Sequence, residues 1–220
     1  MSRYGYITDE EIDRVFDAIE WAADKHKGQV RKGPEKEAYI GHPIRVMNGI
    51  RRAGIYDANM WVAAVLHDTI EDTDASYYEI SHHFGKDVAE MVKAVTDDKG
   101  LPKAERKRQQ IEHAAEMCKA SEGTDQEAYV AAGAMLVKQA DKLDNLRSFE
   151  GSRPEGWSDE QVEGYFAWAF AVVARMELMP GPLEDGLVEV FRKRGLDLKA
   201  PPADLQARLD AYYALLSAEH

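Results

Sequence analysis

Apolar residues recur at helical spacing along nearly the whole chain. In ITDEEIDRVFDAIEWAADKH, Ile12, Val15, Phe16, Ile19 and Ala22 fall three or four apart, and Thr8 with Glu11 has the spacing of a capping box. An amphipathic helix is predicted to open just after Thr8. Similar patterns predict helices over 43–52, 58–72, 86–95, 103–119, 128–145, 159–176, 183–194 and 203–218. A shorter helix is expected over SYYEISHHFG, capped by Ser76 and stopped near Gly85. Period-2 alternation and β-branched clusters are scarce. The pattern therefore predicts an all-α helical bundle with no more than a minor hairpin. The stretch ASEGTDQEA (120–128) reads as a flexible insertion, and LDLKAPPAD (196–204) as a linker to a terminal helix. No repeat or shift in composition marks a second domain. One domain is expected over 1–198, with 199–220 a linker and short helix packed on it.

Composition narrows the function classes. Hydrophobic residues make up 45% of the 220, enough for a sizeable core. No apolar run approaches the ~20 residues of a membrane span. The N-terminus, MSRYGYITDEEID, lacks the apolar region of a signal peptide. The single Cys118 cannot form an internal disulfide, which suits a reducing compartment. A cytoplasmic protein without a membrane partner is expected. The net charge of -12 argues against a nucleic-acid partner, which would require a broad basic face. A small anionic ligand remains compatible with it, because basic residues are clustered: Lys27, Arg31 and Lys32; Lys99, Lys103, Arg106, Lys107 and Arg108; Lys138, Lys142 and Arg147.

The segment AAVLHDTIEDTDAS concentrates the candidate chemistry. Met60 to Leu66 is uniformly apolar, and then come His67, Asp68, Glu71, Asp72 and Asp74. Acids are disfavoured at a helix C-terminus, so a solvated end explains this run poorly. In a continuous helix His67 would lie under Glu71 and Asp68 under Asp72. Carboxylates gathered in this way raise one another's pKa unless a cation neutralises them. Mixed imidazole and carboxylate donors suit a first-row metal such as Mn²⁺ or Fe²⁺. Two further donors are candidates: His42 of AYIGHPIRV and Asp141 of AMLVKQADKLDNLRS. Taken singly, His42 fits a helix start and Asp141 an ion pair. The combination points to a metal site.

The motifs HP, VLHDTIEDT, FG, VTDDK and LVKQADKLDNLRS, in that order, resemble the hydrolase domain of RelA/SpoT proteins. Closer still is the resemblance to stand-alone metazoan SpoT-homologue (Mesh-type) small alarmone hydrolases. It extends through RKGPEKEAYIGHP, VTDDKGLPKAERKRQQ, RPEGWSDEQVEGYFAWA and FRKRGL, roughly from Ala22 to Leu196. The resemblance implies an HD-domain helical bundle. It implies that His42, His67, Asp68 and Asp141 hold one Mn²⁺, and that Glu71 and Asp72 position and activate the attacking water. By the same resemblance Arg31 and Lys32 contact the nucleotide, Asn145 reaches the sugar or phosphate, and Lys99, Arg106 and Tyr165 line the phosphate side. The implied reaction is hydrolysis of guanosine 3′,5′-bis(diphosphate) (ppGpp, with pppGpp as a further substrate) to GDP and pyrophosphate, with no synthetase domain following. Two alternatives stand beside it: removal of the 2′-phosphate of NADPH or of another nucleotide phosphate, and nucleotide binding without catalysis. The acidic pair counts against the second, since a pure binder has no use for water activation.

The sequence departs from that pattern at two positions. Asp144 stands where bacterial members carry His and animal ones an aromatic residue, and a solvated helix acid accounts for it as well as any catalytic role does. Gln161 stands where the animal relatives carry Arg, with a loss of charge that bears on phosphate affinity. His82 and His83 read as surface or packing residues, His26 as a residue suited to the end of the first helix, and Cys118 as unpartnered. Trp157, Phe166 and Trp168, with Tyr165, recur at helical spacing and read as core, although Tyr165 could also stack on a base.

Overall fold

The capping signature at Thr8 forms as its spacing predicts. Thr8 Oγ1 accepts from the Glu11 backbone N–H at 3.2 Å, and Glu11 Oε2 accepts from the Thr8 N–H at 2.9 Å, opening α1 (Asp9–Lys25). The structure is a computed structural model that describes residues 7–151 and 153–218. Both ends of the expected domain limits, 1 and 220, lie outside the described residues. After α1 come α2 (Gly41–Arg52), α3 (Ala58–Leu66), α4 (Thr69–Asp72), α5 (Tyr77–Phe84) and α6 (Lys86–Val95). They are followed by α7 (Lys103–Ala120), α8 (Asp125–Gly151), α9 (Asp159–Val173), α10 (Pro182–Arg192) and α11 (Leu205–Ser217). The described residues contain no strand, so the fold is all-α. None of these helices is long and apolar enough to cross a membrane.

The largest difference from the sequence reading lies at His67. The single helix expected over 58–72 is broken into α3 and the one-turn α4. The cause is local: the His67 ring nitrogen Nδ1 lies 2.8 Å from the Ala64 carbonyl, and Thr69 Oγ1 donates to the Leu66 carbonyl at 2.7 Å. Side chains thus occupy carbonyls that the next helical turn would use. The break leaves His67 and Asp68 on a bend between the two helices.

Smaller differences have equally local reasons. Helix α8 begins at Asp125, and the expected insertion shrinks to residues 121–124. Thr124 and Glu127 form another reciprocal cap there, with bonds of 2.9 and 3.3 Å, one turn before the apolar stripe begins. Helix α2 starts at Gly41 rather than residue 43, which places His42 in its first turn. The minor hairpin is a single antiparallel bridge, Val30 with Ala38, closed by bonds from Arg31 N–H to the Glu37 carbonyl (2.8 Å) and from Tyr39 N–H to the Gln29 carbonyl (3.0 Å). This loop holds Arg31, Lys32 and Tyr39 over the bend at His67.

Helix α8 runs through the middle and packs against α2, α3, α6, α7, α9 and α10. Helix α9 is apolar on every side and buried along its length from Gly164 to Val173, as an interior helix must be. Helix α11 packs on α7 and α9, where Gly164 provides the room: a Cβ at that position would come within 2.4 Å of the Tyr212 ring. The core is built on Trp168, Phe166, Phe170, Phe191 and Tyr212, all nearly inaccessible. This packing fixes the relative placement of α2, the α3–α4 bend and α8, the three elements that build the site.

Candidate metal centre and substrate cleft

Donor atoms from three elements converge at the α3–α4 bend. His42 comes from the first turn of α2, His67 and Asp68 from the bend, and Asp141 from the middle of α8. His42 Nε2 lies 3.2 Å from Asp141 Oδ1 and 3.7 Å from Asp68 Oδ2. His67 Nε2 lies 3.0 Å from Asp68 Oδ2 and 3.8 Å from Asp141 Oδ1. One donor atom each of His42, His67 and Asp141 lie within 4.8 Å of one another, and all three residues are buried.

The tautomer of His67 tests whether these residues suit a cation. Its Nδ1 must donate, because its partner is a carbonyl, and this leaves Nε2 as the nitrogen available to an ion. That Nε2 is buried beside Asp68 Oδ2, 3.0 Å away. A buried imidazole nitrogen that faces carboxylates at short range is a position that a divalent ion would satisfy. Burial works to lower the His67 imidazole, but Asp68 and Asp141 outweigh it and raise its pKa to about 9, so these acids call for a positive charge that a proton on Nε2 supplies when no ion is bound. Burial pushes Asp68 and Asp141 up. His67 and His42 nonetheless hold Asp68 below the usual carboxylate range, and Lys142, with both histidines, does the same for Asp141.

The acidic pair sits beside this cluster. Tyr39 donates its hydroxyl to Asp68 and lies 3.4 Å from Asp72 Oδ2. Lys99 pairs with Asp72, and Arg106 lies 3.6 Å from Glu71 Oε1. The backbone N–H of Asp97 donates to Glu71 at 3.3 Å. Burial, and then the charges of Asp97, Asp68 and Asp72, push the Glu71 carboxyl above its ordinary value. Asp97→Asn removes one of those charges and should let Glu71 ionise more readily. The acid limb of the pH profile of kcat/KM is then expected to move to lower pH than in the wild type. An unmoved limb would remove Asp97 from this role.

Around both groups opens a cleft of about 1110 Å³. All of the residues expected in the site line it: Arg31, Lys32, Lys99, Arg106, Asn145 and Tyr165 as well as the metal-site and acidic residues. Arg31 donates to Asn145 Oδ1 at 2.7 Å, and Asn145 in turn donates to Asp141, so the basic loop is tied to the metal-site helix. Deeper in the cleft stand three lysines that the sequence showed only as members of basic runs. Lys138 donates to the Val95 carbonyl at 3.0 Å, Lys142 pairs with Asp141 at 2.9 Å, and Lys107 lies 3.4 Å from the centre of the Trp168 ring. Burial and the neighbouring Lys142 and Lys138 hold Lys107 well below the usual lysine range. An anion placed among them would relieve that repulsion. Trp168 is core, as read from the sequence, yet carries two ammonium groups on its face, since Lys142 lies 4.7 Å from it.

The structure also disposes of weaker candidates and adds others. Gln161 caps α9, its side chain accepting from the Ser158 N–H at 2.7 Å, and does not line the cleft. His82 and His83 lie exposed on α5, away from it. His26 stacks on Tyr39 with ring centres 4.8 Å apart and contacts Gln29, which donates to the Asp72 carbonyl at 2.7 Å. Tyr39 was not legible as a site residue, because only the tertiary contact with Asp68 and Asp72 marks it. Asp144 is no solvated acid: Oδ2 lies 2.7 Å from His42 Nδ1, and Oδ1 accepts from Arg45 Nε at 2.9 Å.

Residues 18–171 match the HD domain family, the class that this bundle and its His67–Asp68 pair define. The guanosine-3′,5′-bis(diphosphate) 3′-pyrophosphohydrolases MESH1 of Mus musculus and Homo sapiens are each 44% identical to the chain over 189 residues, covering 86% of it and 98% of theirs. A solved structure described as a metazoan orthologue of SpoT that hydrolyses ppGpp and plays a role in starvation responses superposes with a TM-score of 0.74. It has 40% identity and covers 87% of this chain and 98% of that one. The chain belongs to the HD-domain family and, within it, to the group of these MESH1 proteins.

Proposed function

We propose that this protein hydrolyses the 3′-diphosphate of ppGpp, giving GDP and pyrophosphate, at the cleft over the α3–α4 bend. The observation that carries the reading is the joining of a buried His42, His67 and Asp141 cluster, with the half-buried Asp68 beside it, to an acidic pair within one basic cleft. The 44% identity to relatives named for this reaction supports it. His42, His67, Asp68 and Asp141 would hold the divalent ion, and their mixed nitrogen and oxygen donors suit Mn²⁺. Such an ion supplies Lewis-acid activation of water and neutralises charge on a phosphoryl oxygen.

The chain's own residues do the rest. Water attacks the phosphorus attached to the 3′ oxygen. The bond from that phosphorus to the 3′ oxygen breaks, and the proton given up by the water is returned to that oxygen through the acidic pair or solvent, leaving GDP with a 3′ hydroxyl. Glu71 and Asp72 are placed to accept the proton that the attacking water loses. Lys99 and Arg106, now paired with those acids, stand where they also reach a phosphate. Lys107, Lys138 and Lys142 offer the departing pyrophosphate a cationic seat. Arg31 and Lys32 hold the other end of the nucleotide, and Tyr165 and Trp157 give its base apolar walls.

A basic group that grips substrate and transition state alike affects KM more than kcat. Arg31→Gln combined with Lys32→Gln is therefore expected to raise KM for ppGpp by roughly tenfold while changing kcat less. Added salt should reproduce the defect in the wild type, because exposed charges are screened over ~10 Å at 0.1 M. A fall in kcat at unchanged KM would place these residues in the chemistry instead. The substrate assignment is tested by comparing kcat/KM for ppGpp and NADPH under the same Mn²⁺ conditions. A preference of at least about tenfold for ppGpp, ~1.4 kcal/mol in transition-state binding, is expected. An NADPH value equal or higher would overturn the substrate and leave the metal site standing.

A further inference from the structure

His42 is flanked by carboxylates on both ring nitrogens, and the two carboxylates come from successive turns of one helix. Asp141 and Asp144 are three residues apart on α8 and therefore share a face. Asp141 Oδ1 lies 3.2 Å from Nε2, and Asp144 Oδ2 lies 2.7 Å from Nδ1. A carboxylate only accepts, so the bond to Asp144 keeps a proton on Nδ1 and makes Nε2 the nitrogen that would face an ion held together with Asp68 and Asp141. The His42 side chain is 1% exposed and that of Asp144 15%, so water competes little for this bond. The second Asp144 oxygen is also fixed: Arg45 Nε donates to Oδ1 at 2.9 Å, and the Arg45 guanidinium pairs with Glu37 at the cleft edge.

We propose that Asp144 is a positioning residue for the metal centre, orienting His42 and setting its tautomer so that Nε2 is a stronger donor to the ion. Imidazole ligands whose other nitrogen donates to a carboxylate are held in register and made more basic, and loss of such a partner costs 10–100-fold in metal affinity or activity. Arg45 serves the same end at one remove. It restrains the carboxylate so that its Oδ2 stays on Nδ1. The inference rests on the reading of His42, His67, Asp68 and Asp141 as a metal site.

The test is the metal affinity of stripped protein, measured by competition with a chromogenic chelator for Mn²⁺ and Co²⁺, alongside the visible spectrum of the Co²⁺ form. Asp144→Asn keeps the shape and an acceptor oxygen but loses the charge, and is expected to weaken Mn²⁺ binding by about tenfold. Asp144→Ala removes the acceptor too, and should weaken it by about a hundredfold with a changed Co²⁺ spectrum. Activity should return to within a few-fold of wild type at saturating Mn²⁺, with KM for ppGpp unchanged. Arg45→Gln should show a smaller loss of affinity in the same direction. Folded Asp144→Asn protein that binds both metals within twofold of wild type, with an unaltered Co²⁺ spectrum, would overturn the role of Asp144, whatever the Ala variant does. Wild-type protein that binds neither metal would instead overturn the underlying metal-site reading.

Discussion

Asp68→Asn should abolish turnover while leaving a folded bundle. The loss expected is on the order of 10³-fold or more, because activation of water, a shift of its pKa from ~15.7 toward ~7, depends on the bound ion. Asn preserves the volume and an acceptor for the Tyr39 hydroxyl, so circular dichroism and thermal unfolding should stay close to wild type. Bound Mn²⁺ should fall from one equivalent to a small fraction of one. His42→Ala should behave alike. Asp141 calls for more care, since Lys142 is buried against it at 2.9 Å with a side chain only 4% exposed. Truncating Asp141 to Ala leaves that ammonium without its partner, which costs about 3–5 kcal/mol in typical buried pairs. Asp141→Asn separates the loss of metal from the loss of stability. Full activity of Asp68→Asn after stripping and return of Mn²⁺ would show that Asp68 is not a ligand.

The second large effect is expected at the acidic pair. Glu71→Ala with Asp72→Ala should lower kcat by about 10²–10⁴-fold, the range for loss of a positioned acid or base. Nucleotide affinity should remain within about tenfold, as when an interaction made chiefly in the transition state is removed. The double variant should also retain its metal, because neither residue contributes to the His42, His67 and Asp141 cluster. Wild-type protein that binds nucleotide and releases neither pyrophosphate nor phosphate would favour a binding module.

Helical periodicity and capping residues made most of the fold legible. Thr8 with Glu11, and Ser76 with Glu79, open helices where their spacing says they should. What periodicity missed are features decided by single side chains acting on the backbone. The bend after Leu66 depends on bonds from His67 and Thr69 to carbonyls, and an apolar run followed by acids reads as one helix without them. The bend also answers why acids follow the most apolar helix: it turns His67 and Asp68 toward Asp141 and sends Glu71 and Asp72 to a separate turn.

The candidate site divides the same way. His42, His67, Asp68 and Asp141 were marked by motif, and the fold brings them within a few ångströms of one another. Tyr39 carried no signal of its own, and Asp144 stood out only as a departure from the family pattern, since both matter through contacts made across the bundle. The basic runs around Lys107 and Lys142 were visible as charge. Their placement on the Trp168 face was not, because it depends on how α7, α8 and α9 pack.

Hydrolysis at the 3′ phosphorus leaves an isotopic signature in the products. Purified protein with Mn²⁺ is incubated with ppGpp in ¹⁸O-labelled water, and the products are separated and weighed by mass spectrometry. Equal amounts of GDP and pyrophosphate are expected, with one labelled oxygen in the pyrophosphate and none in the GDP. Label in the GDP, cleavage at the 5′ side, or no products under conditions where Mn²⁺ is bound would contradict hydrolysis at the 3′ phosphorus.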